Sequence, residues 1–152
     1  EKNIRILFTM PNSDPEGTYI SKRISEFTTR NRERAIAFTS LGMKRYLSVI
    51  KHVAAVIGNS SSGIIEAPSL GIPTLNIGDR QKGRVTCDSI ISCYSDKDSI
   101  RKGLKKVLSE EMAEIAKEVR NPYEKENTAQ SIFNVIKGCP LNDLAQKSFY
   151  NL

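Results

Sequence analysis

The sequence predicts an α/β domain in which helices cover a parallel β-sheet. Short apolar runs, which are typical of buried strands, alternate along the 152 residues with longer segments whose apolar residues recur every three or four positions. Loops rich in glycine, proline, serine and asparagine separate these segments. This order is that of a parallel sheet with right-handed crossovers, and the length allows one domain with a real core.

Five strands and two long helices are predicted before Asp96. The strands are expected at residues 5–9, 35–39, 54–57, 74–77 and 89–92. Apolar residues at helical spacing predict helices at 17–31 and 43–51. Their apolar faces consist of Ile20, Ile24 and Phe27 in the first helix, and of Met43, Tyr46, Leu47 and Ile50 in the second.

The chain from Asp96 onward is predicted to be helical. Asp96 is expected to cap one helix and Thr128 another, while Asn121 and Pro122 end the helix between them. The residues expected to face inward are Ile100, Leu104, Val107 and Leu108, then Met112, Ile115, Ala116 and Val119, then Ala129, Ile132, Phe133 and Ile136. Leu144 and Phe149 suggest a final helix, so we divide the chain into a domain at 1–139 and a C-terminal helix at 140–152.

The most informative stretch runs from His52 to Arg84. An apolar run ends in a polar elbow at residues 58–63, with the sequence GNSSSG. A short helical segment, a second apolar run and a loop with two arginines and a lysine follow. In an open parallel sheet, ligands bind at the carboxyl ends of the strands, which is where this elbow would lie.

The residues of the elbow indicate an anion site. Glycines allow a tight turn close to a ligand, serines supply hydroxyl donors, and a helix beginning near Ser61 would direct unpaired amides and its dipole at negative charge. Arg80 can bring a planar guanidinium to a phosphate, and Glu66 can accept two sugar hydroxyls. Phosphate and a vicinal diol together describe a nucleotide. The alternative, that the serines simply cap the helix, stays open.

Several better-known sites do not fit the sequence. It contains neither a P-loop nor the glycine fingerprint of dinucleotide-binding proteins. The nucleophile elbow of serine hydrolases fails by one residue, because Ser62 stands where its second glycine should be. The only histidine, His52, precedes the strand and is expected to be a helix-end or surface residue.

Charge and cysteine content restrict the expected partners. Between Lys22 and Lys51 there are eight basic and two acidic residues, which account for the net charge of +6. This stretch lacks interleaved aromatic residues for stacking bases, so we expect solvated helix faces and no nucleic-acid partner. No run of eighteen apolar residues occurs, no signal peptide is expected, and the three cysteines lack metal-ligand spacing. We therefore expect a cytoplasmic protein with reduced thiols and no membrane partner.

These motifs resemble those of a known family. The elbow at 58–63 with Glu66, and the sequence GDRQ at 78–81, are similar to those of the hydrolysing UDP-N-acetylglucosamine 2-epimerases of the sialic-acid pathway. The similarity extends to MPNSD at 10–14 and FTSLG at 38–42. These enzymes have the two-domain GT-B fold, and the resemblance covers only its C-terminal half. It implies a Rossmann-like, three-layer parallel sheet without the family's first strand, which carries a His-Pro motif, and without the N-terminal domain.

The resemblance also implies which residues contact UDP. Ser60 and Ser61 match the ligands of the diphosphate, and Glu66 matches the glutamate that holds the uridine ribose. Arg80 stands where the family has an arginine close to the nucleotide. Leu41 matches a residue whose backbone meets uracil.

For catalysis, the resemblance implies Arg80, Asn12 and Asp14. The last two match a loop at the cleft, where a loop-capping role is the alternative. In the family, UDP leaves by elimination across C1 and C2 to give a 2-acetamidoglucal, and water then adds to release N-acetylmannosamine. This chain would bind UDP and stabilise the leaving diphosphate without a metal or redox cofactor. Most proton transfer would fall to the missing domain, so the chain alone is expected to be inactive.

The expected partners are a UDP-sugar and the N-terminal domain of the same enzyme, and association with further copies of the chain is left open. Two alternatives to this function remain. One is the same fold acting on another UDP-sugar, such as a UDP-2,4-diacetamido-trideoxyhexose. The other is a nucleotide-binding module without catalysis.

Overall fold

The computed structural model describes residues 4–11 and 17–139. The elements in chain order are β1 Ile6–Thr9, α1 Gly17–Arg30, β2 Ala35–Phe38, α2 Gly42–Ile50, β3 Val56–Gly58, α3 Ser62–Ile65, β4 Thr74–Ile77, β5 Ile90–Cys93, α4 Lys97–Val107, α5 Glu110–Glu118 and α6 Thr128–Gly138. A 3₁₀ turn at Pro68–Leu70 follows α3. The predicted order of elements is confirmed within this range, although β3 starts two residues later than expected. The helix predicted at 140–152 lies outside the described residues.

All five strands pair in parallel, which confirms the predicted α/β class, but they form two sheets. One sheet contains β1 and β2, and the other has the order β3-β4-β5. Among the described strands, β1, β2, β3 and β5 each pair on one side only, and no ladder joins the two sheets. The strand–helix rhythm had suggested one continuous sheet, and it does not reveal this interruption.

The core of the second sheet lies around β4. The side chains of Thr74 and Leu75 point to opposite faces because neighbouring strand residues alternate. Thr74 packs against α3 at Gly63, and Leu75 packs against α4 at Gly103. A Cβ on Gly63 would lie 2.6 Å from Thr74 Cγ2, and one on Gly103 would lie 2.5 Å from Leu75 Cδ1. Helices therefore approach both faces closely, which gives the predicted three layers.

Helices α4 and α5 complete this core, and both begin with a side-chain cap. Asp96 accepts hydrogen bonds from the amides of Asp98 at 3.1 Å and Ser99 at 2.9 Å, which confirms the predicted cap of α4. Ser109 caps α5 in the same way. The largely buried apolar side chains of this half are Ile64, Ala67, Leu75, Val107, Met112 and Ala116.

The first sheet is covered less completely. Phe27 of α1 packs edge-on against Phe8 of β1, with ring centroids 5.9 Å apart. Ile36 and Phe38 point to the opposite face of the sheet, because they alternate with Ala37, the partner of Phe8. Their exposed fractions are 51% and 37%. One face of this sheet is therefore open to solvent.

The prediction for α6 was wrong in two respects. Its residues Ala129, Ile132, Phe133 and Ile136 were expected to face inward, but all four are exposed. Their spacing identifies a face that can be buried, whereas burial also needs an element to cover it. In addition, Thr128 does not cap the helix, because its hydroxyl donates to the carbonyl of Lys125 at 2.8 Å.

The surface agrees with the expectation of solvated basic faces. All eight basic residues between Lys22 and Lys51 are exposed. Among the helices of the described ranges, none is both long and apolar enough to span a bilayer.

Candidate functional site

The elbow at 58–63 connects β3 to α3. Gly58 ends the strand at φ +149°, a conformation that favours glycine. The carbonyls of Ser60 and Ser61 accept backbone hydrogen bonds at the start of α3, at 3.2 and 2.9 Å. The amides of the same two serines have no acceptor among the described residues. The elbow therefore presents two adjacent N–H donors.

The serine side chains do little of the capping that was the alternative to anion binding. Ser60 Oγ accepts from the amide of Ser62 at 3.4 Å, which is long for a hydrogen bond. Ser61 occupies the N-cap position, but its side chain makes no capping hydrogen bond. Because α3 is a single turn of four residues, its dipole contributes less than the sequence suggested. Attraction for an anion at this elbow therefore rests on free amides and hydroxyls.

The loop after β4 carries the predicted basic residues and is attached to the elbow. A turn at 79–82 leaves Arg80 exposed. The next residue, Gln81, is only 6% exposed, and its Nε2 donates to the backbone carbonyl of Asn59 at 2.8 Å. The structure thus joins the arginine loop and the serine elbow through one side chain.

The sequence did not identify two buried side-chain amides that support the site, those of Gln81 and Asn121. Gln81 was considered only as part of a motif, and Asn121 only as the end of a helix. Asn121 Nδ2 donates to the carbonyl of Ile65 at 2.8 Å and to Ser69 Oγ at 2.6 Å. The first of these hydrogen bonds holds the last residue of α3. No periodicity marks a lone amide side chain in a polar loop, so only the folded structure identifies these contacts.

Glu66 lies directly after α3, one turn beyond the elbow. Its amide donates to the carbonyl of Ser62 at 3.0 Å, and its side chain is exposed. No side chain in the described ranges pairs with its carboxylate. That carboxylate is therefore available to accept hydroxyl groups of a ligand.

Of the other predicted site residues, the structure describes only Leu41. Leu41 is half-buried at the carboxyl end of β2, just before α2, and the following Gly42 has φ +64°. No hydrogen bond among the described residues connects its loop to the elbow. Asn12 and Asp14 lie outside the described residues.

Comparison with known proteins identifies the family. The profile of the UDP-N-acetylglucosamine 2-epimerase family matches residues 1–137. The chain belongs to this family. Its elbow, Glu66 and the arginine loop all lie within the matched range.

Relatives of this epimerase-family chain are much longer than it is. The polysialic acid biosynthesis protein P7 of Escherichia coli is 37% identical over 131 residues, which cover 86% of this chain and 33% of the relative. The GDP/UDP-N,N'-diacetylbacillosamine 2-epimerase (hydrolyzing) of Campylobacter jejuni is 40% identical over 110 residues, or 72% of this chain and 28% of the relative. The chain therefore spans about a third of the length of these relatives.

The fold agrees with this family. A Listeria monocytogenes crystal structure, assigned as a UDP-N-acetylglucosamine 2-epimerase, matches with a TM-score of 0.69 at 18% identity. The match covers 90% of this chain and 36% of that chain. At this identity it shows the fold alone: the parallel α/β arrangement is part of a GT-B-type structure.

In the described part of this epimerase-family chain, neither His52 nor Cys93 makes a hydrogen bond to the elbow. His52 is exposed after α2, and its Nδ1 must carry the proton because the carbonyl of Ser48, 2.8 Å away, can only accept. This confirms the predicted helix-end histidine. Burial and, second, the negative charge of Asp96 raise the pKa of the Cys93 thiol, which therefore stays protonated near neutral pH.

Proposed function

We propose that this chain is the UDP-binding part of a hydrolysing UDP-N-acetylglucosamine 2-epimerase, which forms N-acetylmannosamine and UDP by elimination and then hydration. The observation that supports this most directly is the hydrogen bond from Gln81 to Asn59. It connects the free amides of the serine elbow with the loop of Arg80, and together these supply the donors that a diphosphate needs.

The chemistry of the first step is consistent with these donors. Elimination across C1 and C2 places negative charge on the departing diphosphate. The amides and hydroxyls of Ser60 and Ser61, together with the Arg80 guanidinium, would stabilise that charge from prearranged positions. Glu66 would accept the ribose hydroxyls, and the backbone at Leu41 would contact uracil.

The rest of the reaction needs groups from elsewhere. We propose that an N-terminal domain, and a strand between β1 and β3, belong to the longer protein. Each of these two strands has an edge that no described strand pairs with, and the relatives are about three times as long. Asn12 and Asp14 would lie at the cleft between the domains, where they would contribute to catalysis with Arg80. A helix at 140–152 would cross to the other domain, and the protein would act in the cytoplasm.

Nitrogen–proton NMR spectra of the chain titrated with UDP test the binding site. The largest shifts are expected at amides of residues 58–63 and 78–84. Replacing both Ser60 and Ser61 with alanine should weaken UDP about tenfold or more, because two hydrogen bonds to a charged group are lost. Ser131→Ala, on the exposed face of α6, serves as the matched control. Uridine binding as tightly as UDP would rule out the phosphate assignment.

The names of two relatives favour a second candidate substrate. The Campylobacter jejuni protein, 40% identical to this chain, is named for action on GDP/UDP-N,N'-diacetylbacillosamine. A diacetamido sugar would use the same diphosphate contacts, because the sugar lies beyond the nucleotide. Assaying the longer protein with both UDP-sugars would distinguish the candidates by their kcat/KM values.

A further inference from the structure

Gln81 is an exception within the basic loop. Its neighbours Arg80 and Lys82 are exposed, whereas Gln81 is 6% exposed. Its Nε2 donates to the carbonyl of Asn59 at 2.8 Å, across 22 positions of the sequence. In the described part of the chain, no backbone amide donates to that carbonyl. The side chain of Gln81 therefore provides the hydrogen bond that this carbonyl makes.

This hydrogen bond determines the direction of a neighbouring donor. The peptide between Asn59 and Ser60 is planar and trans, so its C=O and N–H point in opposite directions. Because the C=O points to Gln81, the Ser60 N–H points away from it, and no described residue accepts from that N–H. A donor held in one direction before the ligand arrives needs no reorganisation to stabilise negative charge.

The same side chain also restrains Arg80. The loop contains Gly78 and Gly83, both at positive φ, which gives its backbone more freedom than other residues would. Gln81 is the buried residue of this loop, and its side chain makes the hydrogen bond to the elbow. Since Arg80 is its immediate neighbour, fixing Gln81 fixes the base of the arginine side chain.

We propose that Gln81 is a positioning residue for the diphosphate site. Through one hydrogen bond it directs the Ser60 N–H and holds Arg80 beside the elbow. Gln81 itself does not need to touch the ligand. The inference rests on the proposed function for the identity of the anion as a diphosphate, whereas the orientation of the peptide is a property of the ligand-free chain.

The test compares two variants with a matched control in the whole 152-residue chain. Gln81→Met keeps the length of the side chain but removes the donor, and Gln81→Leu removes the donor with a branched apolar side chain. Gln130→Met makes the same change on the exposed face of α6. Both Gln81 variants should weaken UDP about fivefold or more while changing uridine less than about twofold. Gln130→Met should change neither.

A double-mutant cycle with Arg80→Ala tests whether Gln81 affects UDP affinity through Arg80 or independently of it. If Gln81 acts partly through Arg80, the loss of UDP affinity in the double variant should be smaller than the product of the two single losses. The inference is overturned if both Gln81 variants bind UDP as the unaltered chain does, or if UDP and uridine weaken equally.

A ligand-free measurement keeps this inference distinct from the proposed function. Absence of UDP binding by the unaltered chain would contradict the proposed function. The amide resonance of Ser60 should nevertheless move in Gln81→Met and stay in place in Gln130→Met. An unmoved Ser60 resonance in Gln81→Met would overturn the positioning role whatever the ligand.

Discussion

Strand β4 is packed on both faces, whereas the sheet of β1 and β2 and the helix α6 leave apolar side chains exposed. Ile64, Leu75 and Val107 are at most 1% exposed, but Ile36 is 51% and Phe133 is 56% exposed. Large exposed apolar surfaces are typical of interaction sites. The elbow and the arginine loop belong to the well-packed half, which extends from β3 to α5. We therefore expect the well-packed half to suffice for ligand binding, whereas catalysis should also need a partner for the exposed apolar surfaces.

The largest expected effect tests this division directly. The chain alone should bind UDP but release no UDP or N-acetylmannosamine from UDP-N-acetylglucosamine, because the proposed function assigns most proton transfer and the enclosure of the sugar to an N-terminal domain. Loss of acid–base help alone typically lowers a rate by about 10²–10⁴-fold. A coupled assay of the chain beside a full-length relative measures the difference. Turnover near that of the relative would show that the well-packed half suffices for catalysis.

A pair of core substitutions compares the two halves as contributors to stability. Leu75→Ala should lower the free energy of unfolding by about 2–5 kcal/mol, since it leaves a cavity between β4 and α4. Ile36→Ala should lower it by less than about 1 kcal/mol, because the side chain is half exposed. Urea unfolding followed by circular dichroism measures both. Equal losses would mean that the first sheet is packed as tightly as the second.

Glu66→Ala should produce a smaller and more selective effect. Loss of the ribose acceptor is expected to weaken UDP by about 1–3 kcal/mol, while inorganic diphosphate binding should hardly change. Glu114→Ala, on the exposed surface of α5, is the control for removing one carboxylate. Calorimetric titration with the two ligands gives the comparison. Equal weakening of UDP and diphosphate would show that Glu66 supports the elbow rather than the nucleoside.

The two halves also show what the sequence can predict. The cap at Asp96 and most of the buried faces of α4 and α5 follow from local spacing and were predicted correctly, whereas Leu108, which was expected to face inward, is 39% exposed. The elbow was predicted because glycines and serines between two apolar runs indicate a tight turn with hydroxyl donors. Gln81, by contrast, is defined by a contact 22 residues away, and no local pattern encodes it. The exposed face of α6 was mispredicted because periodicity shows which residues share a face, whereas burial depends on a neighbour.

The smallest expected effect concerns the pH dependence of the well-packed half. Hydrogen bonds from Ser99 and then Asp98 hold the pKa of Asp96 below its ordinary value of 3.8. A carboxylate whose pKa is lowered by folding contributes stability above its unfolded pKa, and this contribution is lost as pH falls through the folded pKa. Asp96→Asn keeps an acceptor for the cap but removes the charge at the N-terminus of α4.

The unaltered chain should therefore be slightly more stable than Asp96→Asn at pH 7, and the difference should shrink as the pH falls below the ordinary value of 3.8 and through the lower pKa of the folded state. Asp88→Asn, in the exposed loop before β5, removes the same charge without a helix cap and serves as the matched control. Thermal unfolding at pH 7, 5 and 3.5 measures all three proteins. A difference between the chain and Asp96→Asn that is the same at pH 7 and 3.5 would show that the charge of Asp96 does not stabilise α4. The cap would then act through its hydrogen bonds alone.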